Sequence, residues 1–429
     1  MRVAILAAGA GGMYCGSCLR DSALAMALRR AGHDVVMVPL YTPVRDEGDG
    51  SDAVPVFYGG LNVYLQHATR FFRRTPRVVD WLLDRPWLLR LAGSLGAQTA
   101  PAKLGELTLS VLHGEQGPAV KELRRLCRFL RDHHRSQVVS LPNLMFIGAA
   151  RLLREETGAP IVCELTGEDI FLDALAEPQR SEAQRLIRQR CGDVAAFVAT
   201  SAYYADAMAR YLDVPPQRIH VVYPGVPADY CRGATYALAD RPPTVGYLAR
   251  ICPEKGLDRL LDAMALLVKM PGMADAVLRV GGYLGARDRA WFKAQRLRLR
   301  SLGLGKSVVF HGEVDRAGKL SLLDSVDVLS VPTAHPEPKG LYVLEAWARG
   351  VPVVLPAHGS FPELVEWTGG GVLTSPGDAR QLAEALHGLL SDPARRQQLG
   401  DAGAAAVRER FTDAHMAANM LRIYEGLLQ

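Results

Sequence analysis

The 429-residue chain has no run approaching the roughly 18 to 20 uninterrupted apolar residues that cross a bilayer, so only peripheral membrane contact is expected. It also lacks the basic start, long apolar stretch and small-residue cleavage site of an export signal. Met1-Arg2-Val3-Ala4-Ile5-Leu6 runs straight into a buried-strand pattern, and a cytoplasmic protein is expected. Seven cysteines are few and odd in number, which fits a reducing compartment better than a disulfide framework. Cys15-Gly16-Ser17-Cys18 looks like half of a redox or zinc motif, yet no second cysteine pair stands at metal spacing, so small buried thiols at a helix start are expected and no metal site. Gly9-Ala10-Gly11-Gly12 lacks the third glycine of a dinucleotide fingerprint, Tyr14 standing there instead. No acid ends the Val35 to Leu40 strand, and a nicotinamide enzyme is disfavoured.

The net charge of +5 is unevenly placed. Residues 61–135 hold thirteen Lys/Arg against six Asp/Glu, a local surplus of seven that leaves the remainder near −2. Charge so confined, without a recognition module, argues against nucleic acid as a partner. Arg70-Phe71-Phe72-Arg73-Arg74 with Trp81, Trp87 and Arg90 has two readings, an anionic membrane surface or an ordinary amphipathic helix lining an acceptor cleft. The second is favoured, because the aromatic residues supply core and no second anchoring signal accompanies them. His133-His134, in an Arg-rich helix, is expected to be solvated.

With 49% hydrophobic and 22% charged residues, the chain is long enough for two domains of about 200 residues each. The apolar run Val3 to Ala8, the glycines that follow, a helical pattern through Leu24, Leu28 and Ala31, and the run Val35 to Val38 form a βαβ unit. A helix around Ala149 to Leu153 and strands at 160–163, 196–199 and 220–223 continue the pattern. After Pro224-Gly225-Val226-Pro227 and a loop rich in Ala, Gly, Asp and Pro, the same logic restarts. Further strands are expected at 244–248, 276–280, 307–310, 328–331 and 351–355, with a helix over 257–268. The expectation is an α/β chain of two doubly wound domains in tandem, 1–228 and 229–410, with their crevices at the carboxyl ends of the strands and the substrate between them. Residues 411–429 are expected to form a helix crossing back to the first domain.

The densest chemical signal runs from Thr333 to Pro352. Glu337 lies in a loop after a strand and Glu345 on the helix that starts near Leu341, so the two carboxylates face one crevice from different elements. Gly340 allows close backbone approach, and the helix N-terminus suits a phosphate group. Arg250 and Lys255 bracket another strand-to-helix turn and provide two cations for a diphosphate without a metal. Alone, paired glutamates are more often a loop acid and a helix salt-bridge partner; the accompanying cations and glycine favour a site.

These elements resemble the retaining GT-B glycosyltransferases of family 4, the E-x7-E type. Gly246 to Arg250, Pro253-Glu254-Lys255-Gly256, Glu337 with Glu345, and Gly350-Val351-Pro352-Val353 match the second domain of that family. Gly11-Gly12, Gly32-His33-Asp34-Val35, Tyr223-Pro224-Gly225-Val226 and the helix of Tyr424 extend the resemblance over nearly the whole chain. It implies two facing Rossmann-like domains and a hexosyltransferase that uses a nucleotide-sugar donor and a hydroxyl acceptor, with no cofactor and no metal. It further implies that Arg250 and Lys255 hold the donor diphosphate, that Glu345 takes the ribose hydroxyls, and that Glu337 contacts the transferred sugar. Gly340 and Leu341 would offer backbone amides, Gly11 and Gly12 would border the donor, and the backbone near Val314 would read the base.

Two departures stand out. Thr166, in Glu164-Leu165-Thr166-Gly167-Glu168-Asp169, occupies a position where many relatives have histidine, so a histidine role is not transferred. Thr166, Glu168 and Asp169 are candidates for the acceptor side, with helix caps as the plainer reading. Pro338-Lys339 stands where relatives have glycine and phenylalanine; proline has no amide hydrogen, so one donor contact is lost. Other readings are a nucleotide-sugar epimerase or phosphorolytic enzyme of the same fold, and a non-catalytic nucleotide-sugar binder, which the set Arg250, Lys255, Glu337 and Glu345 disfavours.

Overall fold

A computed structural model describes residues 1–8, 16–40, 101–231 and 241–429, with backbone only at 101–104. Gly11, Gly12, Cys15 and the Arg70 to Arg90 segment lie outside the described residues.

The described chain forms two compact units, one of residues 1–223 with 416–429, the other of residues 224–415. Each is built on six parallel strands. The first unit contains β1 (Arg2–Ala7), α1 (Gly16–Arg30), β2 (Asp34–Pro39), α2 (Pro101–Leu112), α3 (Val120–Arg128), β3 (Val138–Leu141), α4 (Ala150–Thr157), β4 (Ile161–Leu165), α5 (Asp169–Asp173), α6 (Gln179–Arg190), β5 (Ala196–Ala199), α7 (Ala202–Leu212) and β6 (Ile219–Val221). Its sheet order is β2-β1-β3-β4-β5-β6. Val3 and Ile5 of β1 enter one core, while Ala4 and Leu6 enter the other. This explains why the strand reads as an unbroken apolar run: parallel strands joined by helical crossovers are buried on both faces.

The second unit contains β7 (Thr244–Leu248), α8 (Leu257–Leu267), β8 (Val277–Gly281), α9 (Arg289–Ser301), β9 (Val308–Gly312), α10 (Arg316–Asp324), β10 (Val328–Ser330), α11 (Leu341–Ala348), β11 (Val353–Pro356), α12 (Phe361–Thr368), β12 (Gly371–Thr374), α13 (Ala379–Ser391) and α14 (Pro393–Arg410). Its order, β12-β11-β10-β7-β8-β9, reverses direction between β7 and β10, so the chain leaves that point toward opposite edges and opens a crevice at the carboxyl ends of these two strands. The last helix, α15 (Asp413–Leu428), returns to the first unit. Its Met416, Ala417, Met420 and Tyr424, spaced along one helical face, pack with Val3, Ile5, Val138, Val162 and Val198.

Two strands escape the sequence patterns. β3 is a four-residue run that follows the basic segment. β12 begins within Gly369-Gly370-Gly371, which reads as loop; a Cβ on Gly371 would lie 2.6 Å from the Val353 carbonyl oxygen, so glycine is what lets β12 pair with β11. The helix expected around Ala149 opens as a tighter 3-10 turn over Leu144–Ala149. The expectation of a solvated His133-His134 pair fails for His134: its side chain is 9% exposed, with Nδ1 2.7 Å from Ser136 Oγ. The reason is local, because Arg135 takes a left-handed conformation that ends the helix and turns the chain into β3.

Candidate functional site

The switch point of the second sheet brings together two loops distant in sequence. After β7, Pro253–Lys255 makes a single 3-10 turn closed by Gly256 at φ +68°. A Cβ on Gly256 would sit 1.8 Å from the Pro332 carbonyl oxygen, so glycine is required both for the backbone conformation and for the contact with the loop after β10. The Ala334 amide donates to the Glu254 carbonyl at 2.9 Å and ties the loops together. Lys255 Nζ consequently donates to Glu337 Oε2 at 2.5 Å.

Glu337 is itself clamped. Its carbonyl accepts from the Ser360 amide at 2.8 Å, and Gly359 lies so close that a Cβ there would be 2.4 Å from the Glu337 nitrogen. The Tyr342 hydroxyl and the Lys339 amide both approach the carboxylate at 3.4 Å. Burial by itself pushes the Glu337 carboxyl up, but the Lys255 ammonium, its hydrogen bond and the Lys339 charge together hold it below the ordinary carboxylate value. Burial and the Glu337 charge push the Tyr342 phenol well up, which keeps it a neutral donor.

Gly340 at φ +64° caps α11 without any side-chain bond; the Val343 amide donates to the Gly340 carbonyl at 2.9 Å, which leaves Leu341 and Tyr342 as the first-turn amides with no intrahelical acceptor at the positive end. Glu345, one turn on, is buried and accepts from Lys319 Nζ of α10 at 2.6 Å. Lys319 was not evident from motif spacing, although a signal existed: it shares an i, i+3, i+4 face with the buried Leu322 and Leu323, where a lysine needs a partner. Arg250 stands at the start of the β7 turn, half-exposed, with Nε 3.2 Å from Cys252 Sγ and a terminal nitrogen 3.9 Å from Glu254. Val314 lies beyond the end of β9, in the loop that leads to α10 and Lys319. Thus Lys255, Glu337, Gly340 and Leu341 form one cluster, Arg250 borders it on the same turn, and Glu345 extends it along α11.

In the first unit, the turn after β4 has different electrostatics. Glu168 points inward and accepts from the Leu144 amide at 3.1 Å and the Thr166 amide at 2.7 Å, bridging the loops after β3 and β4. Burial pushes its carboxyl up. Asp169 accepts from the Tyr204 hydroxyl at 2.6 Å, and that hydroxyl in turn accepts from the Gly167 amide at 3.0 Å. Glu168 and Asp169 therefore hold the turn together, but not as helix caps: Glu168 stands at the N-cap of α5 without a capping bond, and its carboxylate turns back to the loops before the helix.

Comparison with known proteins bears on both units. The family described as "Glycosyl transferases group 1" matches residues 234–406, and "Glycosyltransferase Family 4" matches residues 105–230. A D-inositol 3-phosphate glycosyltransferase of Xylanimonas cellulosilytica is 30% identical over 424 residues, covering 92% of this chain and 96% of that protein. A phosphatidyl-myo-inositol mannosyltransferase of Mycobacterium leprae is 34% identical over 183 residues, 42% of this chain and 46% of that protein. Among solved structures, HepE of Anabaena in complex with UDP and glucose is similar in fold at a TM-score of 0.68 and 18% identity, over 99% of this chain and 100% of that one. Sucrose-phosphate synthase from Thermosynechococcus elongatus aligns at a TM-score of 0.72 and 19% identity, over 99% of this chain and 98% of that one.

Proposed function

The chain belongs to the group 1 glycosyltransferases, its two Rossmann-like units having the GT-B fold, and on that premise we propose that it moves a sugar from a nucleoside diphosphate sugar to a hydroxyl acceptor with retention of anomeric configuration. The observation that carries the reading is the Lys255–Glu337 contact beside the uncapped N-terminus of α11. When a donor enters, its diphosphate takes the Lys255 ammonium, with Arg250 as second cation and the amides at Gly340 and Leu341 as further donors. Glu337 is thereby released to accept from a hydroxyl of the transferred sugar. Glu345, oriented by Lys319, accepts from the ribose hydroxyls, and the backbone near Val314 meets the base.

In this mechanism the bond from the anomeric carbon to the phosphate oxygen breaks and the acceptor oxygen bonds to the same face. The acceptor proton passes to the departing phosphate, so neither a protein nucleophile nor a metal takes part. Thr166, Glu168 and Asp169 shape the acceptor side, and the enzyme acts in the cytoplasm. Because HepE was crystallised with UDP, and two relatives are named for inositol compounds, UDP-sugars and inositol phosphates or phosphatidylinositol are the first pair to test.

The test is a thermal-shift screen of UDP, GDP, ADP and their sugar conjugates without added metal, followed by NMR assignment of the product anomer. A selective shift with one nucleotide and a retained anomer is the expected result. No shift with any nucleotide removes the donor site, an inverted anomer removes the mechanism, and an epimer formed without acceptor makes the protein an epimerase.

A further inference from the structure

Helix α9 carries five basic residues and no acidic one. At about 100° per residue, Arg289, Lys293, Arg296 and Arg300 fall within an arc of about 60° and form a line along the whole helix. All four are exposed. The fifth, Arg298, lies off that line and is held by Asp262 at 2.6 Å. Among the described residues none of the other four makes an ion pair; Arg296 rests over the Phe310 ring, 5.8 Å from its centroid. Leu297, beside this line, is 70% exposed.

The buried side of the helix is conventional. Gln295 and Leu299 face inward, and Phe292 packs edge-on against Phe310 of β9, with ring centroids 5.1 Å apart. Strand β9 is the terminal strand of its sheet, with Val309 42% exposed and Lys306 exposed just before it. Near the start of α9, the acids Glu254 and Asp288 both pair with Arg287, at 3.1 and 3.5 Å, and Asp288 is buried, so neither neutralises the line.

A helix face that merely meets water commonly intersperses charges of both signs, and like charges four residues apart, as in Arg289 with Lys293 and Arg296 with Arg300, disfavour the helix. Cations in a row beside an exposed leucine match a surface that is anionic and offers hydrocarbon just below it. We infer that α9 is a docking face for an anionic phospholipid bilayer, with the four cations over the headgroups and Leu297 in the interfacial layer. A phosphodiester backbone would use the cations but give Leu297 no apolar partner. Since α9 follows β8 and Arg287 pairs with the β7 turn, docking brings the rim that carries Arg250 and Lys255 toward the membrane surface.

The experiment is flotation of the full chain with phosphatidylcholine vesicles with and without phosphatidylglycerol, at low and high salt. The wild type is expected to float only with phosphatidylglycerol and to be released by salt. The Lys293→Gln/Arg296→Gln/Arg300→Gln variant should lose about 100-fold in partition, and Leu297→Ser several-fold, with unchanged thermal unfolding midpoints. Binding of the triple variant at wild-type strength, or failure of the wild type to float, overturns the inference. Retention on duplex RNA or DNA without flotation assigns the face to nucleic acid instead. Arg70→Gln/Arg73→Gln/Arg74→Gln serves as the control for the basic segment of the first unit and should retain binding.

Discussion

The two sheets end in loops of similar construction but opposite electrical character. At the carboxyl end of the second sheet, Glu337 has Lys255 and Glu345 has Lys319. In the loop after β4 of the first, among the described residues, Glu168 accepts from amides and the Thr166 hydroxyl and Asp169 from a tyrosine, while the acid that has a cation, Glu164 with Arg20, lies inside the strand. A carboxylate held by neutral donors is a strut, since nothing in its shell has reason to prefer an incoming anion. A carboxylate held by a lysine belongs to a pair that a phosphate can divide, because the ammonium gains a second, doubly charged partner. The same architecture therefore supports a structural turn in one unit and a poised one in the other.

The sharpest way to break this comparison is to remove the carboxylates. Glu337→Ala should lower kcat/KM by about 10³-fold, about 4 kcal/mol of transition-state stabilisation, while nucleotide affinity stays within about threefold. Steady-state kinetics with isothermal titration check it, and activity within tenfold of wild type would place the chemistry elsewhere. Next in size is Lys319→Met, which strands Glu345 in a buried position and should cost about 3 kcal/mol in denaturant unfolding. Adding Glu345→Gln should recover most of that loss; a double variant as unstable as the single one would show that the pair is not the cause.

Lys255 is a quarter exposed, so its removal should show mainly in binding. Lys255→Ala is expected to weaken nucleoside diphosphate affinity about 30-fold, about 2 kcal/mol, and nucleoside monophosphate affinity less. Wild-type affinity in that titration refutes the diphosphate site.

The smallest effect is the most direct comparison of the two loops. The Glu337 carboxyl is held below its ordinary value, so its contribution to stability is present above the ordinary carboxylate range and is lost as pH falls through the depressed folded value. The Glu168 carboxyl is raised by burial, so its contribution is fully present below the ordinary range and is lost as pH rises through the raised folded value. Relative to wild type, Glu337→Gln should lose stability progressively from acid to neutral pH and Glu168→Gln should regain it. Unfolding midpoints over that range check it, and parallel curves would erase the distinction.

Much of the fold is legible because its signals are local. Central strands such as β1, β5 and β7 are apolar runs bounded by turn residues, and the glycines at 256 and 340 mark helix starts where the backbone turns left-handed. Where the signal was short or masked by glycine, as in β3 and β12, the reading stopped. In the site, residue types and spacing singled out Arg250, Lys255, Glu337, Gly340 and Glu345, and the family resemblance added Leu341, but neither showed how the charges are matched. Lys319 shares a helical face with Leu322 and Leu323, but its partner Glu345 comes from another helix, and only the packing of α10 on the sheet brings the two together. The inward turn of Glu168 is likewise invisible in its own neighbourhood, because its partner Leu144 comes from the loop after another strand.

By itself, the sequence determined that the chain is built of strand–turn–helix units, that they fall into two groups, and that a carboxylate-rich and glycine-rich segment follows one strand while a cationic turn follows another. Each of these is written in contiguous residues through hydrophobic period and backbone propensity. The tertiary structure alone decided that Lys255 and Glu337, 82 residues apart, meet within hydrogen-bond distance. Parallel strands leave their crossover connections free to go to either side, and only the observed order, with β7 beside β10, places those two loops at one crevice.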